Sequence, residues 1–434
     1  MADDDKSLSQ TRDLLSRLDA SVLRDCCPPL VALDSVEARL IGRLLHAFIA
    51  ATRDDPGAGP ASASASSWIG SYPALGALHD RIWEKLNTGH WSAVALTWRQ
   101  FYALVSLLKL KYLLALTTRC AADERWAVWP DLIKICDMGS LMGYPLADHL
   151  LNRLAAQLAR MLWHGPPASK RALHTNFTPL ASRKIRAQGR AQALPVKQDL
   201  SILTFVSQYR IPARSVLLVG AMADWPAMTP GPHQWTLAYL RRVAGYRTVP
   251  VELGSKYTDP DWTQTLMTVN QFLDEYVLTP KPPQPRGYLA QHPLLEQIPE
   301  LSADILIPDY CYTGENEDAD GVDINVWFGP RDTISPLHTD PKHNMLCQVM
   351  GRKYIRIYHA DQTPRLYPHA DFLLSNTSRI DLERPDFDSF PLFKEAEGFE
   401  CVLEPGDMVY IPPGCWHFVQ SLSTPSLSLS FWFN

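Results

Sequence analysis

The stretch Glu404-Pro-Gly-Asp-Met-Val-Tyr-Ile-Pro-Pro-Gly-Cys-Trp-His417 leaves the chain little choice of local structure. Pro-Gly and Pro-Pro-Gly are turn formers, proline presetting φ and glycine supplying the positive φ that tight turns need. Between them only the apolar run Met408–Ile411 has room to be regular, long enough for a strand and too short for a helix. A short strand held between two turns is the building unit of a β-sandwich or barrel. The second turn then places His417 at the start of the returning strand, on the rim.

The rest of the chain divides around this pattern. Up to residue 162 the apolar residues recur at helical spacing: Leu14, Leu15 and Leu18, then Leu40, Leu44, Leu45 and Phe48, with a break at Cys27-Pro28-Pro29. Further helices are predicted over 72–86, 91–117 and 129–162, the last split near 139–145. Helix following helix predicts an all-α N-terminal domain, a packing or partner-binding module without chemistry of its own. The Ala/Ser/Gly/Pro run 55–67 reads as a flexible loop. Residues 163–198 carry seven Lys and Arg in 163–197 with no Asp or Glu, which reads as a basic linker. From 199 to 434 short β-rich runs alternate with turns: strands at 215–220, 248–254, 287–292 and 324–330, helices at 235–244 and 269–276, and an acidic loop at 315–323. The fold class is α+β, an all-α domain followed by a β domain.

Composition narrows the partners. A formal net charge of −5 over 434 residues argues against general affinity for nucleic acid, and no nucleic-acid motif is present. The most apolar long run, 101–118, is interrupted by Lys109 and Lys111 and reads as a core helix, so no membrane partner is expected. The first residues, Met-Ala-Asp-Asp-Asp-Lys, are acidic where a secretory signal is basic and then apolar, and the eight cysteines show no C-x-x-C spacing. An intracellular, reducing location is expected.

The chemistry gathers around residues 333–358. His338 and Asp340 are two apart, and alternate residues of a strand share a face, so two metal ligands are expected from one short segment. With His417 they make two imidazoles and one carboxylate, the set that leaves three positions open on a non-haem Fe(II); zinc would also accept it. Lys353, fifteen residues after His338, follows the Gly351-Arg352 turn and alternates with Ile355 and Ile357. Its ammonium is therefore expected to point into the barrel, where it needs an anion that its own strand does not supply. A dicarboxylate cosubstrate would meet that need. The turn–strand–turn–His arrangement is in addition the mark of a cupin-type double-stranded β-helix, a jelly-roll variant.

Residues from about 200 onward resemble the Jumonji-C family of Fe(II)- and 2-oxoglutarate-dependent oxygenases. The likeness rests on Val-Pro-Val-Glu-Leu-Gly-Ser-Lys-Tyr-Thr-Asp, Trp-Thr-Gln-Thr-Leu-Met-Thr-Val-Asn, Gly-Tyr-Leu-Ala-Gln-His, Trp-Phe-Gly-Pro, Pro-Leu-His-Thr-Asp-Pro, Gln-Val-Met-Gly-Arg-Lys-Tyr-Ile-Arg and the closing Ser-Phe-Trp-Phe. In the helical part it is looser, carried by Trp91, Trp98 and Lys134-Ile-Cys-Asp-Met-Gly-Ser. The resemblance implies iron on His338, Asp340 and His417, O2 as cosubstrate, and a salt bridge from Lys353 to the distal carboxylate of 2-oxoglutarate. Tyr288, Ser335 and Asn344 resemble its other cosubstrate contacts. Glu252, Tyr257, Gln291 and Trp327 match positions that meet substrate in the nearest subgroup, where a carboxylate and a flat aromatic wall suit an arginine side chain. His343, His359 and His369 match no such position and are expected at the surface.

The implied activity is hydroxylation of a protein substrate, with arginine C3 the expected target and a nuclear location with a cytoplasmic pool. Removal of N-methyl groups from histone lysine by the same chemistry is the alternative, with methyl-lysine as the side chain taken. A third reading, a non-catalytic scaffold with a vestigial barrel, is opposed by the intact His338, Asp340, His417 and Lys353.

Overall fold

The computed structural model describes residues 18, 20–28, 33–51, 72–117, 122–164, 187–254, 256–258, 261–279, 285–314, 321–371 and 374–434. The Ala/Ser-rich run 55–67, most of the basic linker and most of the acidic loop lie outside the described residues. The chain forms two compact units. One is Met1–Ala172 with Arg242–Thr248 and Gln297–Pro299; the other is Leu173–Arg241, Val249–Glu296 and Glu300–Asn434.

The first unit is helical: α1 (Ala20–Asp25), α2 (Val36–Ala51), α3 (Tyr72–Leu86), α4 (Leu96–Thr117), α5 (Ala122–Leu141) and α6 (Leu150–His164). Helix α4 is long and apolar enough to cross a membrane by length and composition, yet Phe101–Leu108 is buried without interruption inside this unit. Its apolarity is that of a core helix wrapped by its neighbours. The split expected near 139–145 is present: α5 ends at Leu141 and α6 begins at Leu150, and between them Ala147, Asp148 and His149 all take positive φ (41°, 52° and 54°). That conformation is sterically costly for L residues and stops the α5–α6 region from running on as one rod.

The Lys134–Ser140 stretch has a physical role here. Gly139 sits where a Cβ would lie 2.7 Å from Leu151 Cδ1 and 2.8 Å from Ser106 Cβ, so only glycine lets α5 close on α4 and α6. Asp137 is fully buried. It accepts hydrogen bonds from Arg247 Nε (2.9 Å), the Thr248 amide (2.6 Å) and Gln297 Nε2 (3.0 Å).

The second unit is built on fourteen strands: β1 (Arg190–Ala193), β2 (Val196–Lys197), β3 (Val216–Leu218), β4 (Thr248–Leu253), β5 (Thr263–Thr268), β6 (Gly287–His292), β7 (Asp323–Gly329), β8 (Ile334–Thr339), β9 (His343–Met350), β10 (Lys353–Tyr358), β11 (Glu397–Leu403), β12 (Met408–Ile411), β13 (Trp416–Ser421) and β14 (Ser426–Phe433). Strands β1 and β2 fall inside the stretch expected as linker; pairing with β11 and β3 orders them. The strands form a five-stranded sheet in the order β1-β11-β10-β13-β8 and a nine-stranded sheet in the order β2-β3-β12-β9-β14-β7-β6-β4-β5. This is the two-sheet jelly-roll architecture.

Leu217, Leu346, Val409 and Ile411 of the larger sheet pack with Ile355, Ile357, Leu403 and Val419 of the smaller, so the core lies between the sheets. Tyr354, Tyr358, Trp416 and Phe418 face the other way and are covered by Leu366, Ile380, Leu382 and Phe393 from the long connection between β10 and β11. The smaller sheet is therefore buried on both faces. Period-two alternation on β10 separates these two cores, and Lys353 falls on the inner one.

Candidate active site

Strands β8 and β13 pair antiparallel with His338 directly opposite His417. Directly opposed residues share a face, and the two rings stand 4.2 Å apart, centroid to centroid. Asp340 lies one residue beyond the end of β8. Its main-chain carbonyl accepts a 2.9 Å hydrogen bond from the Gly414 amide, tying it to the Pro412-Pro413-Gly414 turn that precedes His417. The carboxylate comes within 3.9 Å of His338 Nε2 and 3.4 Å of His417 Nε2. One ligating atom from each residue lies within 4.8 Å of the others, and among the described residues this is the metal-competent cluster.

The tautomers follow from the partners. His338 Nδ1 is 2.6 Å from the Pro336 carbonyl and His417 Nδ1 is 3.1 Å from the Cys415 carbonyl. A carbonyl only accepts, so each Nδ1 carries the hydrogen and each Nε2 keeps its lone pair for a metal. Burial, reinforced by the neighbouring His417, holds His338 down at about 4, so it stays neutral. Burial works to raise the Asp340 carboxyl, but the nearness of His417, and then of His338, outweighs it and lowers it.

A small cavity opens beside these residues, lined by Ser335, Lys353 and Val419 from one sheet and Tyr288, Trp327 and Asn344 from the other. Ser335 and His338 are three apart and by alternation should face opposite ways. They share the cavity because β8 has one residue more than β13 between the pairs Ser335–Val419 and His338–His417. Such a bulge re-aims a side chain, and Pro336 is tolerated in it because β8 is an edge strand.

Lys353 is buried, 1% exposed. Its Nζ lies 3.4 Å from the Tyr288 hydroxyl, and no carboxylate pairs with it among the described residues. Burial alone pushes its ammonium down to about 7. Asn344 is buried with its side-chain oxygen unpartnered. A buried cation is costly unless an anionic ligand meets it. With two free Nε2 lone pairs and a carboxylate alongside, this donor set fits a divalent iron, and the lysine fits a carboxylate held beside it.

The residues expected around the substrate fall as follows. Glu252 on β4 pairs across the sheet with Tyr288, hence on its face. Burial raises its carboxyl, opposed by a 3.2 Å hydrogen bond from Trp262 Nε1. Trp327 lines the cavity, its Nε1 donating to Ser430 Oγ at 2.9 Å. The Tyr257 ring stands perpendicular to His338 at 6.5 Å. Burial raises its hydroxyl pKa, with Asp340 and Glu252 acting in the same direction. Gln291 is exposed and takes φ 46° in a second bulge, where β6 has one residue more than β7 between Leu289 and His292.

Two expectations about histidines need correction. His343 is not a surface residue: it stacks on Tyr410 and Phe433, bonds the Tyr410 hydroxyl at 2.7 Å, and is held by burial at about 4. His369 is half-buried, while His359 is exposed as expected. Sequence reasoning also missed Asn376 and Thr377. They run along the free edge of β8, Thr377 beside His338, with the Thr339 amide donating to the Asn376 carbonyl and the Ser378 amide to the Leu337 carbonyl. No local pattern marks them, since the pairing is set by the tertiary fold.

Comparison with known proteins agrees with this architecture. Residues 203–434 match the family model described as a cupin-like domain. The chain is 42% identical over 358 residues to "Lysine-specific demethylase 8" of Danio rerio, covering 82% of this chain and 86% of that one. It is 38% identical over 365 residues to "Jumonji C domain-containing protein 5" of Drosophila melanogaster (83% and 86%), and 37% over 388 residues to "Lysine-specific demethylase JMJ30" of Arabidopsis thaliana (84% and 86%). With a cupin-like barrel, a His-Asp-His cluster on its rim and relatives of this identity along most of its length, the chain belongs to the Jumonji-C family of 2-oxoglutarate-dependent oxygenases.

Proposed function

We propose that the chain is an Fe(II)- and 2-oxoglutarate-dependent protein hydroxylase that acts on an arginine side chain of a protein substrate, at C3. The observation that carries the reading is Glu252: a half-buried carboxylate on the Tyr288 face of the sheet, paired with the indole of Trp262 and with no cationic partner among the described ion pairs. A half-buried carboxylate met only by a neutral donor favours a cationic guest, and a planar guanidinium can take it in two parallel hydrogen bonds. Trp327 offers a flat wall for the same group.

When bound, iron and 2-oxoglutarate supply the oxidising power that inserts one atom of O2 into a substrate C–H bond, with succinate and CO2 as the coproducts. His338, Asp340 and His417 would hold the metal. Lys353 would grip the distal carboxylate, and Tyr288, Ser335 and Asn344 would complete its hydrogen bonds with donors that a desolvated carboxylate needs. Glu252 and Tyr257 would then orient the guest so that one C–H bond faces the metal.

The names of the relatives support a second reading, removal of N-methyl groups from lysine. The same oxygen insertion at an N-methyl carbon gives a product that breaks down to formaldehyde. Mass analysis of arginine and methyl-lysine peptides after incubation with iron and 2-oxoglutarate separates the two. Gain of one oxygen on arginine with loss of that gain in Glu252→Gln supports the hydroxylase; loss of a methylene from lysine overturns it.

A further inference from the structure

The Tyr257 hydroxyl lies 3.1 Å from Thr377 Oγ1, and from that distance alone either oxygen could donate. The next links decide. Asn376 Nδ2 donates to the Thr339 carbonyl at 3.1 Å, and a carbonyl accepts only, so the Asn376 amide cannot be turned over. Its oxygen, Oδ1, therefore faces Thr377 and accepts the Thr377 hydroxyl hydrogen at 3.3 Å. Thr377 has one hydrogen and has used it. Tyr257 must then donate to Thr377, and its oxygen keeps lone pairs for whatever enters beside His338.

We propose that Thr377 is a positioning residue that fixes the polarity of the Tyr257 hydroxyl, making it an acceptor that selects N–H-bearing cationic guests. This deepens the arginine reading and rests on it. The device is anchored on the metal strand itself: Thr377 sits in register beside His338, and the Thr339 carbonyl that orients Asn376 belongs to the same strand. A second tie, Lys256 Nζ to Asp381 Oδ2 at 2.9 Å, holds the residue next to Tyr257 to the same connection. The run therefore has one sense from β8 outward: Thr339 carbonyl, Asn376, Thr377, Tyr257, guest. A guest that could only accept would meet two lone pairs and be refused.

The test uses the full chain loaded with Mn(II) and 2-oxoglutarate, with binding of a short arginine peptide measured by calorimetry. Loss of a hydrogen bond to a charged group corresponds to about tenfold in affinity, so Thr377→Val and Tyr257→Phe are each expected to weaken binding about tenfold. Thr377→Ser, which keeps the oxygen, is expected within about twofold of the parent, and the double variant no weaker than Tyr257→Phe alone, since both changes remove one device. The backbone bonds of residue 377 survive each change, and a thermal midpoint verifies folding. Additive losses, failure of serine to restore binding, or no binding of arginine by the parent protein would each overturn the inference. Hydroxylation is scored separately by product mass. A protein that binds arginine with this dependence and demethylates lysine instead refutes the proposed reaction and leaves the polarity intact.

Discussion

Lys353 and Tyr288 face each other across the gap between the two sheets, ammonium to phenol at 3.4 Å, with no carboxylate to neutralise the lysine among the described residues. A lysine is placed there at a cost to folding, and the cost is removed only when an anionic guest arrives.

That cost has a sign that can be measured. Burial brings the Lys353 ammonium down to about 7 in the folded chain, while in the unfolded chain it titrates near about 10.4. Between these values the unfolded state binds more protons, so this residue makes stability rise with pH through that window. Lys353→Met is expected to be more stable than the parent by about 1–4 kcal/mol at pH 7, with the gap closing towards pH 10. It should also lose 2-oxoglutarate affinity by about a hundredfold. Urea titrations of both proteins at several pH values check the first claim, and calorimetry with 2-oxoglutarate checks the second.

Metal should stabilise the folded chain through the cluster of His338, Asp340 and His417. A ligand at a hundred times its Kd adds about 2.7 kcal/mol, a rise of several degrees in the melting midpoint. The parent chain is expected to show this rise with Mn(II), and His338→Ala or His417→Ala to show almost none. An equal rise in the variants would place the metal elsewhere.

Much of this site was legible because ligands two apart, turns around Met408–Ile411 and an inward lysine follow from local geometry. What local geometry could not supply was the parity of bulged strands. Ser335 was assigned to the cosubstrate through family likeness, since alternation alone sets it opposite His338; the extra residue in β8 is visible only once β13 lies beside it. Gln291 is a similar case in β6. Asn376 and Thr377 carried no signal, as their pairing with β8 closes a connection that begins after β10. His343 could have been found, because it opens β9, a largely apolar strand buried along nearly its whole length.

Gly351 sets the start of β10. It takes φ 69°, and a Cβ there would lie 2.0 Å from the Pro425 carbonyl oxygen. Gly351→Ala therefore faces both a left-handed conformation and a clash with backbone, and is expected to destabilise the chain by about 3 kcal/mol or more. Because Lys353 follows two residues later, the surviving folded fraction should also bind 2-oxoglutarate more weakly. Denaturation midpoints and calorimetry on one preparation measure both, and an alanine variant of parental stability would contradict the turn geometry described.

Asp137 makes an equivalent demand on the helical unit. Its carboxylate and the Arg247 guanidinium are both fully buried, 2.7 Å apart at the closest, with the Thr248 amide and Gln297 Nε2 also satisfied by Asp137. Asp137→Ala removes the anion and leaves Arg247 as an uncompensated buried cation, a change that typically costs about 3–5 kcal/mol. Asp137→Asn keeps one acceptor and should cost less. Arg247→Met added to Asp137→Ala removes the stranded charge, so the double variant is expected to recover part of the loss that the single variant shows. Urea denaturation of the three proteins against the parent measures the ordering. A double variant less stable than Asp137→Ala alone would mean that packing of the arginine stem, and not its unpaired charge, dominates at this position.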